Sequence, residues 1–139
     1  MAHVYFHPGA LVYLCTATSG ADLAAELWNG ADLVASSQVS DLEVRTVLAG
    51  GLRLGKLEQR AFDAAMVRWQ EMRRGLWQID LSRRVTERAG ELAEHHAVRP
   101  TDAIHLASVE LLDVPGLVVL GWGEQFVTAA RAEGHTVLA

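Results

Sequence analysis

The chain has 139 residues, half of them hydrophobic and 21% charged, with a formal net charge of -5. That is the balance of one globular domain, 1–139, built on one core, and it excludes a global positive field for nucleic acid, so RNA or DNA binding requires a local basic patch. A single cysteine, Cys15, excludes an internal disulfide, and no run approaches the ~18 apolar residues of a membrane span, so the cytoplasm is the expected compartment and no membrane partner is expected.

The opening stretch VYFHPGALVYL reads as a short strand, Val4 to Phe6, entering a turn and then a second apolar run, with His7 as its one ionisable side chain. The run from Ala10 to Cys15 followed by TATSGA has the outline of a leader, but it lacks a positive n-region and carries His7 and Pro8 ahead of it, so it is read as part of the domain. ADLAAELWNG predicts a helix closed by Gly30, and DLVASS a short strand ending in small polar residues. VSDLEVRTVLAGG predicts a helix stopped by Gly50 and Gly51. KLEQRAFDAAMVRWQEMRRG predicts a long helix with Leu57, Phe62, Ala65, Met66 and Trp69 at helical spacing.

LWQIDL is a strand, and Ser82 caps the helix SRRVTERAGELAEHH. Pro100 marks another helix start, and TDAIHLASVELL is apolar on nearly every side, which predicts deep burial. Leu117 to Leu120 is a strand, GEQFVTAARAEG a helix, and HTVL a last strand. This alternation implies an α/β fold with a mostly parallel sheet covered on both faces.

Two acids stand out. Asp102 heads an otherwise apolar helix, where a carboxylate can simply accept free backbone N–H groups and meet the positive end of the dipole. Glu43 lies among Leu42, Val44, Val47 and Leu48, just after a strand end, and on its own reads equally as an exposed helical glutamate. His105, one turn after Asp102, reads as a satisfied core histidine or as a support for that acid.

With these residues in place the chain resembles the PIN-domain ribonucleases, in particular the VapC-type toxins of bacterial toxin–antitoxin pairs. The resemblance rests on VYFHPGALVYL, ASSQVSDLEVRTVL, RPTDAIHLASVELL and LGWGEQFVTAARAEGHTVL, of which RPTDAIHLAS is the most specific. It implies a PIN-like three-layer α/β/α sandwich in which four acids converge at the C-terminal edge of the sheet. There they hold magnesium or manganese for RNA cleavage, since hard cations want oxygen ligands and the transition state develops negative charge. It also implies a homodimer, which the apolar long helix carrying Met66, Trp69 and Met72 suits, and a small antitoxin as partner.

Residue by residue, Glu43 matches the second acid and Asp102 the third. The first position holds His7, and the fourth, usually Thr, aromatic, Asp, reads Gly121, Trp122, Gly123, with Glu124 one residue later. A one-residue shift at a helix start turns a side chain by about 100°. Two readings follow. In one, His7, Glu43 and Asp102 form a three-ligand set that prefers manganese or zinc to magnesium. In the other the site is lost, His7 pairs with the remaining acids, and no cofactor is bound. The functional alternatives are a divalent-metal-dependent endoribonuclease and a catalytically inactive fold that binds protein or RNA. If the fold brings Arg45 near the acids, it can position an RNA phosphate.

Overall fold

The structure, a computed structural model, describes residues 2–16 and 21–139, so most of the TATSGA end of the leader-like stretch lies outside the described residues. Among these residues five strands form one sheet in the order β3-β2-β1-β4-β5. They are β1 (Ala2–Phe6), β2 (Ala31–Ser37), β3 (Trp77–Ile79), β4 (Val118–Leu120) and β5 (Thr136–Leu138). Every pairing is parallel, with Val4 opposite both Val34 and Val118, Ala35 opposite Trp77, and Val119 opposite Val137.

Among the described residues seven helices cover the sheet: α1 (Pro8–Thr16), α2 (Ala21–Gly30), α3 (Ser40–Arg53), α4 (Gln59–Gly75), α5 (Arg83–His95), α6 (Pro100–Leu112) and α7 (Glu124–Ala132). Successive side chains of a strand point to opposite faces, and β1 uses this fully. Val4 and Phe6 join a core with residues of α1, α2, α3 and α4, whereas Tyr5 joins a second core with residues of α5, α6 and α7. The three-layer α/β/α architecture expected from the alternation is therefore present.

Two expectations need correcting. The stretch after His7 is the helix α1 rather than a turn and an apolar run. Pro8 fits a first helical turn, where its missing N–H costs nothing, and Ala10, Leu11 and Cys15 are buried in the core they share with Val4 and Phe6. The stripe Met66, Trp69 and Met72 is not free for a subunit interface either: Trp69 is 0% exposed, and both methionines pack against the same core. Trp69 is fixed there by an indole N–H bond to Asp41 Oδ1 at 2.8 Å. Burial acts against the Asp41 carboxylate, but this bond and the Arg45 and Arg73 guanidiniums hold it below its usual range.

Other local choices follow the sequence closely. Ser82 accepts a bond from the Val85 N–H, as an N-cap should. α6 buries Asp102, Ala103, His105, Leu106, Ala107, Ser108 and Val109, in accord with its nearly all-round apolar character. Arg88 ties α5 to α6 and to the end of α7 through Glu110 at 3.0 Å and Glu133 at 3.3 Å, while His96 meets Glu133 at 2.7 Å.

Candidate functional site

Because the strands are parallel, their C-terminal ends share one edge, and α1, α3 and α7 each start there after β1, β2 and β4. This is the edge at which open α/β sheets bind ligands. His7 follows β1 directly, and its backbone N–H continues the ladder to the Leu120 carbonyl at 2.9 Å. Glu43 lies in the first turn of α3 and Asp102 in the first turn of α6, so both carboxylates sit near positive helix ends. Beneath them, Ser36 donates to the Phe6 carbonyl at 2.6 Å, which leaves Ser40 to donate to the Ser36 oxygen at 2.6 Å. That pair fixes the entry of α3 against the end of β1.

The acids do not face an open space. His7 Nε2 lies 3.1 Å from Asp102 Oδ1, and His105 Nε2 lies 2.6 Å from Glu43 Oε1. The two imidazole rings are neighbours, with centroids 5.0 Å apart, and Phe126 closes the far side of His7 at 4.5 Å. Tyr5 OH is 2.8 Å from His105 Nδ1. A carboxylate only accepts, so His105 carries its proton on Nε2 and the phenol donates to Nδ1. The result is a directed chain, Tyr5 to His105 to Glu43. His7 is held similarly, since the Gly9 N–H approaches its Nδ1 at 3.4 Å.

Burial shapes the protonation of these groups. It pushes the Tyr5 hydroxyl well above its usual value and so keeps it a donor. It pushes His105 below 6.5, opposed only in part by the bond to Glu43. For Asp102 burial acts upward, but the His7 hydrogen bond, with further attraction from the nearby His7 ring and the Arg99 guanidinium, outweighs it and holds the carboxyl below its usual range.

The structure therefore brings His7, Glu43 and Asp102 to one edge, joined through His105. It does not arrange them as a ligand set: among the described residues no group of three or more His, Cys, Asp or Glu side chains is placed to hold a metal ion. Each imidazole spends an N–H on a carboxylate, and each other ring nitrogen already has a donor. The three-ligand arrangement considered from the sequence is not assembled, and this donor set fits neither the magnesium or manganese that the resemblance implies nor the zinc considered for a His7 ligand.

Two further residues differ from expectation, while His105 is the satisfied core histidine that one reading expected, fully buried with both ring nitrogens bonded. Glu124 is exposed at the start of α7 and lines a separate cleft with His96, Ala97 and Thr128, so the one-residue offset is not absorbed by the turn. Arg45 is tied to Asp41 at 2.9 Å one turn away on its own helix, beside Arg73 of α4 on the same carboxylate. His105 supports Glu43 by hydrogen bond rather than Asp102. Tyr5 and Arg99 were not singled out from the sequence: Tyr5 reads as a strand aromatic, and Arg99, 76% exposed with Nε 3.7 Å from Asp102 Oδ2, reads as an ordinary charge before a helix. The signal for Arg99 lay in its place as the N-cap of the helix that carries Asp102.

The PIN domain family model matches residues 9–120. The chain is 38% identical over 137 residues to the ribonucleases VapC45 and VapC49 of Mycobacterium tuberculosis, covering 99% of this chain and 95% of each relative. Among solved structures it is similar to a toxin–antitoxin complex from Klebsiella pneumoniae, with a TM-score of 0.68 at 20% identity, over 98% of this chain and 96% of that one. The chain belongs to the PIN-domain family and is a VapC-type member of it.

Proposed function

We propose that this chain acts as the toxin-type subunit of a toxin–antitoxin pair, as a single domain held in check by a small antitoxin protein. Its target is RNA, engaged at the edge that carries Glu43 and Asp102, and its endoribonuclease activity is weak. The observation that carries this reading is the pairing of each remaining family acid with a histidine, His7 on Asp102 and His105 on Glu43, at 3.1 and 2.6 Å. Carboxylates so engaged are poor at gathering a cation or orienting a water on a phosphodiester. Arg99 is the phosphate contact in this reading, in preference to Arg45, because it is exposed and adjacent to Asp102. Homodimerisation belongs to the same reading, through the exposed apolar side chains Leu42, Val47 and Val67 rather than through the buried stripe of α4.

The same pairing favours a second reading, a catalytically silent PIN fold that binds RNA or protein. One experiment separates the two. Labelled single-stranded RNA is incubated with the protein and with Asp102→Asn, with magnesium or manganese, and both binding and cleavage are measured. Slow cleavage abolished by Asp102→Asn supports the ribonuclease. Binding without cleavage supports the silent module. No interaction with RNA overturns the RNA-directed part of both.

A further inference from the structure

Independently of whether the chain cleaves RNA, the pairing of both acids with histidines bears on what occupies the acidic edge. A divalent ion there needs bare oxygens, or imidazole nitrogens with a free lone pair, at about 2.0–2.6 Å. Neither imidazole offers one. His7 Nε2 points at Asp102 and its Nδ1 at the Gly9 N–H; His105 Nε2 points at Glu43 and its Nδ1 takes the Tyr5 hydroxyl. His105 is fully buried and His7 nearly so, so neither ring can swing outward without opening the core between α6 and β1.

Space argues the same way. The end of β4 approaches the end of β1 so closely that a Cβ on Gly121 would lie 2.8 Å from His7 Cβ and 3.3 Å from its Cγ. Phe126 and His105 pack on His7 from other sides. The ring is thus held in one position, with its N–H on Asp102.

We infer that His7 takes the place of the divalent ion as the built-in hydrogen-bond partner of Asp102, while His105 engages Glu43, so that the acidic edge is complete without metal and does not bind magnesium or manganese. The two acids come from distant helices and face one edge, where like charges disfavour each other unless something positive or proton-donating intervenes. In this chain the intervening groups are covalently part of the protein. Tyr5 has a positioning role in the arrangement: by donating to Nδ1 it fixes the tautomer that gives Glu43 its N–H.

The test uses the intact chain, with metal binding by calorimetry and thermal melting in chelator, magnesium or manganese. The expected result is no saturable heat and the same melting temperature in all three. His7→Asp then exchanges a donor for a third acid. It should melt below the parent in chelator and regain a few degrees with manganese. Should His7→Asp not fold in chelator, recovery of a cooperative melt in millimolar manganese, and not in sodium chloride of equal ionic strength, is the same result. Saturable magnesium or manganese binding by the parent, with a raised melting temperature, overturns the inference. So does a folded His7→Asp that remains indifferent to metal. Failure of RNA binding would instead strike the functional reading and leave these melts unaffected.

Discussion

His105 Nε2 donates to Glu43 Oε1 across 2.6 Å and so joins α6 to α3 over the end of the sheet, while its other nitrogen takes the Tyr5 hydroxyl at 2.8 Å. The ring is 0% exposed, so both bonds exist without competition from water. Removing the ring would leave a phenol donor without its acceptor and a carboxylate without its N–H. A hydrogen bond to a charged group contributes about 1.5–3 kcal/mol, and an orphaned buried group costs about 1–3 kcal/mol. His105→Ala is expected to lose about 4 kcal/mol of stability in urea titration once the cavity is included. Tyr5→Phe, which removes only the donor, should lose about 1 kcal/mol.

The same ring sets an acid limit. Its folded pKa lies below 6.5, because burial disfavours the cation more than Glu43 favours it. Above that pH neither state protonates the ring, and its full contribution is present. As pH falls below 6.5, unfolded His105 takes up a proton that the folded ring refuses, and stability drops by up to about 1.4 kcal/mol per pH unit. Asp102 has the same sign in a lower window: its folded pKa is below 3.8, so its contribution persists above that value and is lost only as pH falls through the folded value. Urea midpoints should therefore decline from pH 6.5 towards 4.5, and His105→Gln should flatten that decline while starting lower.

The two glycines that stand where the family's last motif falls behave differently, and substitution should separate them. Gly121→Ala places a Cβ 2.8 Å from His7 Cβ and 3.2 Å from Phe126 Cε2, against atoms fixed to backbone and core. An overpacking cost of about 2–3 kcal/mol is expected. Gly123 has open space around it but a φ of +96°, so Gly123→Ala costs only backbone strain, about 1–2 kcal/mol. Restoring the fourth acid as Gly123→Asp carries the same strain. The double variant His7→Asp with Gly123→Asp should thus melt below His7→Asp alone in chelator.

Much of this was legible in the sequence because it depends on local pattern. The alternation of short apolar strands with amphipathic stretches foretold the layers, and RPTDAIHLAS placed Asp102 at the head of a buried helix. The second face of β1 was harder. Val4, Tyr5 and Phe6 read as one apolar run, and only the parallel pairing on both sides shows that Tyr5 turns alone toward α6. His105 gave a similar difficulty. Its spacing to Asp102 suggested support within one helix, whereas its partner is Glu43, 62 residues away, chosen by the packing of α6 against the sheet. The Trp69 stripe was ambiguous because burial in a core and burial in an interface demand the same residues. Only Asp41, which satisfies the indole N–H inside the chain, decides between them.

Arg99 provides a test of the edge as an RNA surface. Its guanidinium is 76% exposed, and its Nε lies 3.7 Å from Asp102 Oδ2, a distance at which a mostly solvated pair contributes little to stability. Arg99→Ala should change the urea midpoint by no more than about 0.5 kcal/mol. If the side chain meets a phosphate, its loss removes one released counterion. The slope of log affinity against log salt for single-stranded RNA should then shrink by about 0.7, equally for unrelated sequences, since a phosphate contact reads no base. Arg45→Ala serves as the comparison, because Arg45 is committed to Asp41, which faces Trp69 and Arg73 of α4, and should leave the slope unchanged. Fluorescence polarisation over a salt series measures both variants. An unchanged slope for Arg99→Ala, or an equal loss for Arg45→Ala, would move the RNA surface away from the Asp102 end of α6.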